Sequence, residues 1–267
     1  MLDPATVAEF IRRTTRSVIL PRFRMLKRED IREKAPGNLV TIADTEAERE
    51  LTRLLTAASP GTSVLGEEAA FADADLLART DYQAPLWIID PIDGTHNFAH
   101  GDPNFAVMVA YMEKGKSRAG WIYDPVGDRL VHAVAGGGAW SGERRLRLSS
   151  SPGRLFGSAY GRAASGQRAE KVLARGGDIG VRNRGCCGVE YLDIALGEAD
   201  FSLHSRSLPW DHAAGMLITA ELGGKAGFLD GSPYDPRIHD RAVLAAGSAE
   251  GWRRVHDIVV APAKGAA

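Results

Sequence analysis

The sequence predicts a mixed α/β protein, on three observations. Residues Leu86 to Asp90 form a nearly continuous apolar run, the pattern of a strand buried on both faces. Three more strand patterns, Phe105 to Tyr111, Ala119 to Tyr123 and Arg129 to Ala133, are separated by Lys/Gly and Asp-Pro/Gly-Asp turn signals and predict an antiparallel meander. After them, helix and strand patterns alternate. The 267 residues suit either one large α/β unit or two tightly packed halves.

The first element is an amphipathic helix. Asp3 can cap it with Pro4 at its first position, and Val7, Phe10, Ile11 and Val18 recur at helical spacing. From Arg12 to Lys34 nine Lys or Arg face three acids, which reads as the solvated face of a helix pair that Pro36 and Gly37 end. A short apolar stretch, Leu39 to Ala43, leads into a second helix with Thr45 and Glu48 as its capping box and Ala47, Leu51, Leu54 and Leu55 as its buried stripe. Ser59, Pro60 and Gly61 stop it. Ser63 to Leu65 then form a brief strand that delivers Gly66, Glu67 and Glu68 to its end, and residues 70 to 84 read as a loop with a short helix. Gly136, Gly137 and Gly138 lack the spacing of a nucleotide-binding loop and predict a tight turn. In the second half, Val189 to Leu196 and His212 to Leu222 read as helices. Phe201 to Leu203, Ala226 to Leu229 and Ala242 to Ala246 read as strands, and the terminal APAKGAA as a mobile tail.

Composition narrows the function. Lys plus Arg total 33 against 34 Asp plus Glu, a net charge of -1, which excludes a globally basic nucleic-acid binder. The two cysteines, Cys186 and Cys187, are neighbours and cannot staple distant segments, so the chain has no disulfide framework and suits a reducing compartment. Its amino terminus lacks a long apolar stretch, and nowhere does it approach the roughly 20 apolar residues of a membrane span. A soluble, cytoplasmic protein without a membrane partner is expected.

The chemistry concentrates at Trp87-Ile-Ile-Asp90-Pro91-Ile92-Asp93-Gly94-Thr95, where two carboxylates stand three positions apart as a buried strand gives way to a turn. Gly94 admits close approach of a ligand, and the amides of residues 94 to 96 can open a helix and meet an anion. Phosphate and carboxylates repel each other unless hard cations lie between them, and oxygen donors at this density suit Mg²⁺. The competing reading is a plain turn with Asp93 as a helix cap. Glu67 at a strand end, and Asp44 and Asp211 at helix starts, could converge with the pair.

These segments resemble the inositol monophosphatase family of metal-dependent, lithium-sensitive phosphatases along nearly the whole chain. The motifs are Leu39-Val-Thr-Ile-Ala-Asp44, Gly66-Glu-Glu68, Trp87 to Phe98, Trp210-Asp211 and Ala220-Glu-Leu-Gly-Gly224. The resemblance implies the layered αβαβα sugar-phosphatase fold, with an amino-terminal α+β half over 1–145 and a carboxy-terminal α/β half over 146–267 sharing one cleft. It also implies two or three Mg²⁺ ions held by Glu67, Asp90, the carbonyl of Ile92, Asp93 and Asp211, with Asp90 bridging. Glu67 and the Thr95 hydroxyl would orient the attacking water, Asp44 would hold Thr95, and the amides of Gly94, Thr95 and His96 would hold the phosphate. Lys34 falls where the family often has a lysine near a mobile metal-binding loop. A homodimer is the assembly the resemblance suggests.

The sequence also departs from that pattern. Inositol-preferring members have a second threonine where this chain has His96, and a glutamate seven residues before the last metal aspartate where this chain has His204. An imidazole cannot replace a carboxylate as an acceptor for ring hydroxyls. If His204 and Arg206 face the pocket, a substrate with a second anionic group is favoured; if they face solvent, they carry no message. Gly185-Cys186-Cys187 falls where relatives line the substrate side, which makes Cys187 a candidate wall residue that Arg182 and Arg184 could orient. Inositol phosphate, histidinol phosphate, fructose bisphosphate and 3'-phosphoadenosine phosphate all remain open as substrates. The alternative of another class is a protein that binds RNA or a transcription partner through the Arg12 to Lys34 stretch, although nucleic acid is not the expected partner.

Overall fold

A computed structural model describes residues 1–148, 153–163, 165–175 and 178–261. The expected carboxy-terminal tail falls, apart from Ala261, outside the described residues.

Helix α1 (Pro4–Thr14) begins after Asp3, whose side chain makes no capping hydrogen bond. It runs on through a widened turn over Thr15–Ile19 and a tight turn over Leu20–Arg22. The expected helix pair is not found. Residues after Arg28 instead form an antiparallel hairpin, β1 (Ile31–Ala35) and β2 (Asn38–Thr41), with Pro36 and Gly37 at its tip, Gly37 at φ 77°. The basic side chains that suggested a solvated helical face are drawn to acids: Arg12 to Asp128, Arg16 to Glu9, Arg22 to Glu46, and Lys34 inward to Glu67 and Glu68. Helix α2 (Ile42–Ala58) buries the predicted stripe, but its capping box is Thr41 with Asp44, one turn earlier than expected. Thr41 Oγ1 accepts from the Ala43 amide at 3.2 Å and Asp44 Oδ2 accepts from the Thr41 amide at 2.8 Å.

Strand β3 (Ser63–Gly66), short helices α3 (Glu67–Ala72) and α4 (Leu76–Arg79), and the fully buried β4 (Leu86–Asp93) follow. After α5 (Thr95–Ala99) the meander is β5 (Ala106–Glu113), β6 (Lys116–Asp124) and β7 (Arg129–Val134), extended by β8 (Gly138–Ser141) and β9 (Arg144–Arg145). These strands form a seven-stranded sheet in chain order, with only β3 and β4 parallel. The glycine triplet is a turn, and its Gly136 and Gly138 amides are taken by the Glu221 carboxylate at 2.7 and 2.8 Å.

The second half comprises β10 (Leu155–Ala159), α6 (Ala169–Ala174), β11 (Ile179–Val181), α7 (Cys187–Leu196), β12 (Phe201–His204), α8 (Pro209–Glu221), β13 (Lys225–Phe228), β14 (Val243–Ala246) and α9 (Ala249–Val260). Its five-stranded sheet has the order β11-β10-β12-β14-β13. Three apolar cores hold five layers together. Val7, Ile11, Leu51 and Leu55 of α1 and α2 pack on Trp87, Ile89 and Trp121 of the large sheet. Its other face, with Ile88, Met108 and Ile122, meets Val189, Leu192, Ala213 and Ile218 of α7 and α8, which in turn cover Val243 and Ala245 of the small sheet. Leu155, Phe201 and Leu244 on the far side pack under Leu173, Trp252 and Val255 of α6 and α9. This is the αβαβα fold.

The central helices pack at glycine-sized distances. A Cβ at Gly215 would lie 2.2 Å from the Tyr191 ring, and one at Gly120 would lie 2.8 Å from the Ala214 backbone. Gly215→Ala should therefore lower the melting temperature by several degrees, since overpacking costs about 1–3 kcal/mol. Helix propensity alone would raise stability by roughly 1 kcal/mol, so the sign in a thermal scan separates the two.

Candidate active site

The position of the two β4 aspartates depends on an irregularity in pairing. Asp90 lies opposite Met108 and Asp93 opposite Ala106, so three residues of β4 span two of β5. Strict alternation would put residues three apart on opposite faces. The bulge, at Pro91 where no amide is available for a ladder bond, turns Ile92 towards the α1/α2 core and places Asp93 on the α7 side with Asp90. There the Asp93 carboxylate accepts from the Gly188 amide and from Cys186 Sγ at 3.0 Å.

Asp90 is 1% exposed, and its Oδ1 is a buried oxygen with no hydrogen-bond partner. Burial pushes its carboxyl well above the usual range, reinforced by the charges of Glu67, Asp93, Asp211 and Asp44. Asp211, in the first turn of α8, is likewise pushed well up by burial and by Asp93 and Glu67, with Arg206 and Lys34 opposing. Asp93 is pushed to about 6 by burial against its two donors. Four carboxylates from β4, α3 and α8 thus share one field.

Glu67 is held at its turn by a residue absent from the expected site. Glu48 accepts from the Glu68 and Ala69 amides at 2.8 and 2.9 Å, and its carboxylate fills the space a Cβ on Gly66 would occupy. A cation already stands at this edge: Lys34 Nζ donates to Glu67 at 2.9 Å and Glu68 at 2.7 Å. Burial works to lower the Lys34 pKa, but the two glutamates outweigh it and raise it. All-oxygen donors, an orphaned buried carboxylate oxygen and an ammonium drawn onto the cluster fit hard divalent cations.

Thr95 opens α5 behind Gly94, which adopts a left-handed conformation at φ 84°. A Cβ on Gly94 would lie 2.9 Å from the Asn104 carbonyl oxygen, so the turn requires glycine. Thr95 Oγ1 lies 3.0 Å from both Asp44 Oδ1 and the Ile92 carbonyl. Asp44 is fully buried, its other oxygen takes the Thr41 amide and hydroxyl, and burial pushes its carboxyl to about 7. The first-turn amides of Thr95 and His96 have no acceptor within the helix. The His96 ring is exposed and stacks on His100, with centroids 4.3 Å apart.

A cavity of about 280 Å³ opens beside Asp93 and Asp211, lined by Tyr160, Cys187, His204 and Arg206 among others. His204 is buried in its wall, 7% exposed, and Arg206 is exposed at its rim. Cys187 Sγ lies 3.5 Å from His204 Nδ1. Arg184 packs behind, with Nε donating to Asp193 at 2.9 Å, and Arg182 lies over the Phe156 ring. Glu190, which the sequence reading does not single out, is buried behind His204.

The metal-free cluster predicts a specific pH dependence. Asp44 and Glu48 are pushed by burial to about 7 and Asp93 to about 6, against about 4 in an unfolded chain. A raised carboxyl pKa means the folded state binds more protons, so stability is lost as pH rises from about 4 to about 7. Cations that displace protons from Asp93 and from Asp90 and Asp211, which are raised likewise, should therefore raise the melting temperature more at pH 8 than at pH 5. Thermal scans of metal-stripped protein with and without Mg²⁺ check this; equal shifts at both pH values would contradict it.

The five layers and the cluster at the bulged strand define a phosphoric monoester hydrolase of the sugar-phosphatase type. The profile of the inositol monophosphatase family matches residues 3–263, and the chain belongs to that family. It is 34% identical over 216 residues to an inositol-1-monophosphatase of Bacillus subtilis, covering 79% of each chain. It is 33% identical to a fructose-1,6-bisphosphatase/inositol-1-monophosphatase of Thermotoga maritima, covering 74% of this chain and 75% of that one. Among solved structures, the extragenic suppressor protein suhB from Bartonella henselae superimposes with a TM-score of 0.81 at 27% identity, covering 98% of both chains. The family is metal-dependent. No described helix is long and apolar enough to cross a membrane.

Proposed function

We propose that this protein is a Mg²⁺-dependent phosphomonoesterase acting on a small metabolite phosphate. Glu67, Asp90, the Ile92 carbonyl, Asp93 and Asp211 would hold two or three ions. The observation that carries the reading is the β4 bulge, which sets Asp90 and Asp93 on one face towards Glu67 and Asp211. Bound there, Mg²⁺ neutralises charge on the phosphoryl oxygens and acidifies water.

The chain's own groups supply orientation and a proton path. Thr95 Oγ1 has one hydrogen to give, to Asp44 or Ile92, and keeps lone pairs for an attacking water that Glu67 also faces. A proton leaving that water can pass through Thr95 Oγ to Asp44, whose Oδ1 lies 3.0 Å from that hydroxyl. The Gly94, Thr95 and His96 amides offer donors to the phosphate oxygens without reorganisation. Asp93, fixed by Gly188 and Cys186, links this centre to the cavity that would receive the rest of the substrate.

The test is phosphate release by metal-stripped protein from glycerol 2-phosphate and myo-inositol 1-phosphate. Release should require added Mg²⁺, stop with EDTA and fall with lithium. Undiminished release in EDTA would overturn the proposal.

A further inference from the structure

Beyond the carboxylate cluster the cavity wall carries the Arg206 guanidinium and the side chains of Tyr160, Cys187, His204 and Ser205. Apart from Asp93 and Asp211, its lining among the described residues includes no carboxylate. Arg206 lines it with an exposed guanidinium that has no carboxylate partner among the described residues, close enough to Asp211 to oppose the rise in its pKa. His204 lines it from within the wall, where its ring lies nearly parallel to Tyr160 at 14° with centroids 5.2 Å apart.

The orientation of that imidazole is set from behind. Its Nε2 lies 2.7 Å from Ser202 Oγ, which donates to Glu190 at 3.0 Å, and 3.3 Å from Glu190 itself. Glu190 also accepts from the Tyr160 hydroxyl at 2.8 Å and the Arg184 amide at 2.9 Å. Burial works to raise its carboxyl, but these donors and His204 outweigh it and hold it below its usual range. A buried carboxylate so held takes an N–H at Nε2, while Nδ1 lies 3.5 Å from the Cys187 thiol that also lines the cavity.

We infer that the substrate carries a second anionic group, phosphate or carboxylate, received by His204 and Arg206, with Glu190 as the residue that positions His204. This rests on the phosphatase reading and narrows it. A neutral polyol would find few acceptors on this wall, and an amine would be repelled by Arg206.

The test compares kcat and KM in Mg²⁺ for glycerol 2-phosphate, myo-inositol 1-phosphate, fructose 1,6-bisphosphate and 3-phosphoglycerate. The last two distinguish a phosphate from a carboxylate as the second anion. In the unaltered protein at least one of them should exceed both esters that lack a second anionic group in kcat/KM by about tenfold, the effect of one charge-assisted hydrogen bond. Arg206→Ala, at an exposed position that should not disturb folding, and His204→Gln should each bring that ratio towards one, mainly through KM. Glu190→Gln should raise KM for the compound with the second anionic group while leaving kcat closer to the original. A preference for inositol 1-phosphate, or a ratio unmoved by both Arg206→Ala and His204→Gln, overturns the inference while glycerol 2-phosphate turnover keeps the phosphatase reading intact. No Mg²⁺-dependent release from any compound overturns both.

Discussion

Asp90→Asn should reduce phosphate release by about 10³-fold or more, because it removes a charge from the centre of the proposed cation cluster. The amide is nearly isosteric, and the site it enters is fully buried with a carboxylate oxygen that has no partner. In the metal-free protein the substitution relieves repulsion with Glu67, Asp93 and Asp211, so the variant should melt at the same temperature as the parent or higher in EDTA. In Mg²⁺ the order should reverse, since the parent gains more from binding. Steady-state assays and paired thermal scans check the two halves. Near-normal turnover would remove Asp90 from the cluster's function.

Thr95→Ala should lower kcat by about 10²- to 10⁴-fold, the range for a positioned proton-transfer group. Thr95→Ser retains the hydroxyl 3.0 Å from Asp44 and should keep most of the rate. Asp44→Asn should resemble Thr95→Ala in kcat, because the route from Thr95 would then end on an amide. Asp44 also caps α2, so the variant's melting temperature should be recorded beside its activity. A full rate in Thr95→Ala would show that water is activated elsewhere.

Much of this architecture is legible in the sequence because its signals are local. The apolar run before Asp90 is a strand buried along its whole length, the meander follows its turn residues, and the α2 stripe packs as its spacing demands. The cap of α2 is misplaced by one turn because Thr41 with Asp44 and Thr45 with Glu48 satisfy the same pattern; the structure uses the first and assigns Glu48 to the α3 amides instead. Helix α9 is not among the predicted elements, although Ser248 followed by Trp252, Val255 and Val259 carries a cap and an apolar face.

What stays hidden depends on contacts distant in sequence. Nothing near Lys34 indicates that its side chain will be buried between two glutamates more than thirty positions away. Pro91 hints at a ladder defect, but the face on which Asp93 emerges is decided by pairing with Ala106. His204 is found by its spacing from Asp211, but which way it faces is decided by Glu190 and Ser202 behind it. The resemblance in motifs named the family because motifs are contiguous; the substrate wall is assembled from β12, α7 and the segment before α8, where no contiguous pattern exists.

The most direct measurement follows metal occupancy and turnover together. Metal-stripped protein and its Asp90→Asn variant would be titrated with Mn²⁺, counting bound ions by electron paramagnetic resonance while phosphate release is read from the same samples. The predicted result is more than one ion per chain in the parent, release that appears as those sites fill, and loss of both in the variant. Full release before any ion binds, or unchanged binding and release in Asp90→Asn, would contradict a phosphatase built on this carboxylate cluster.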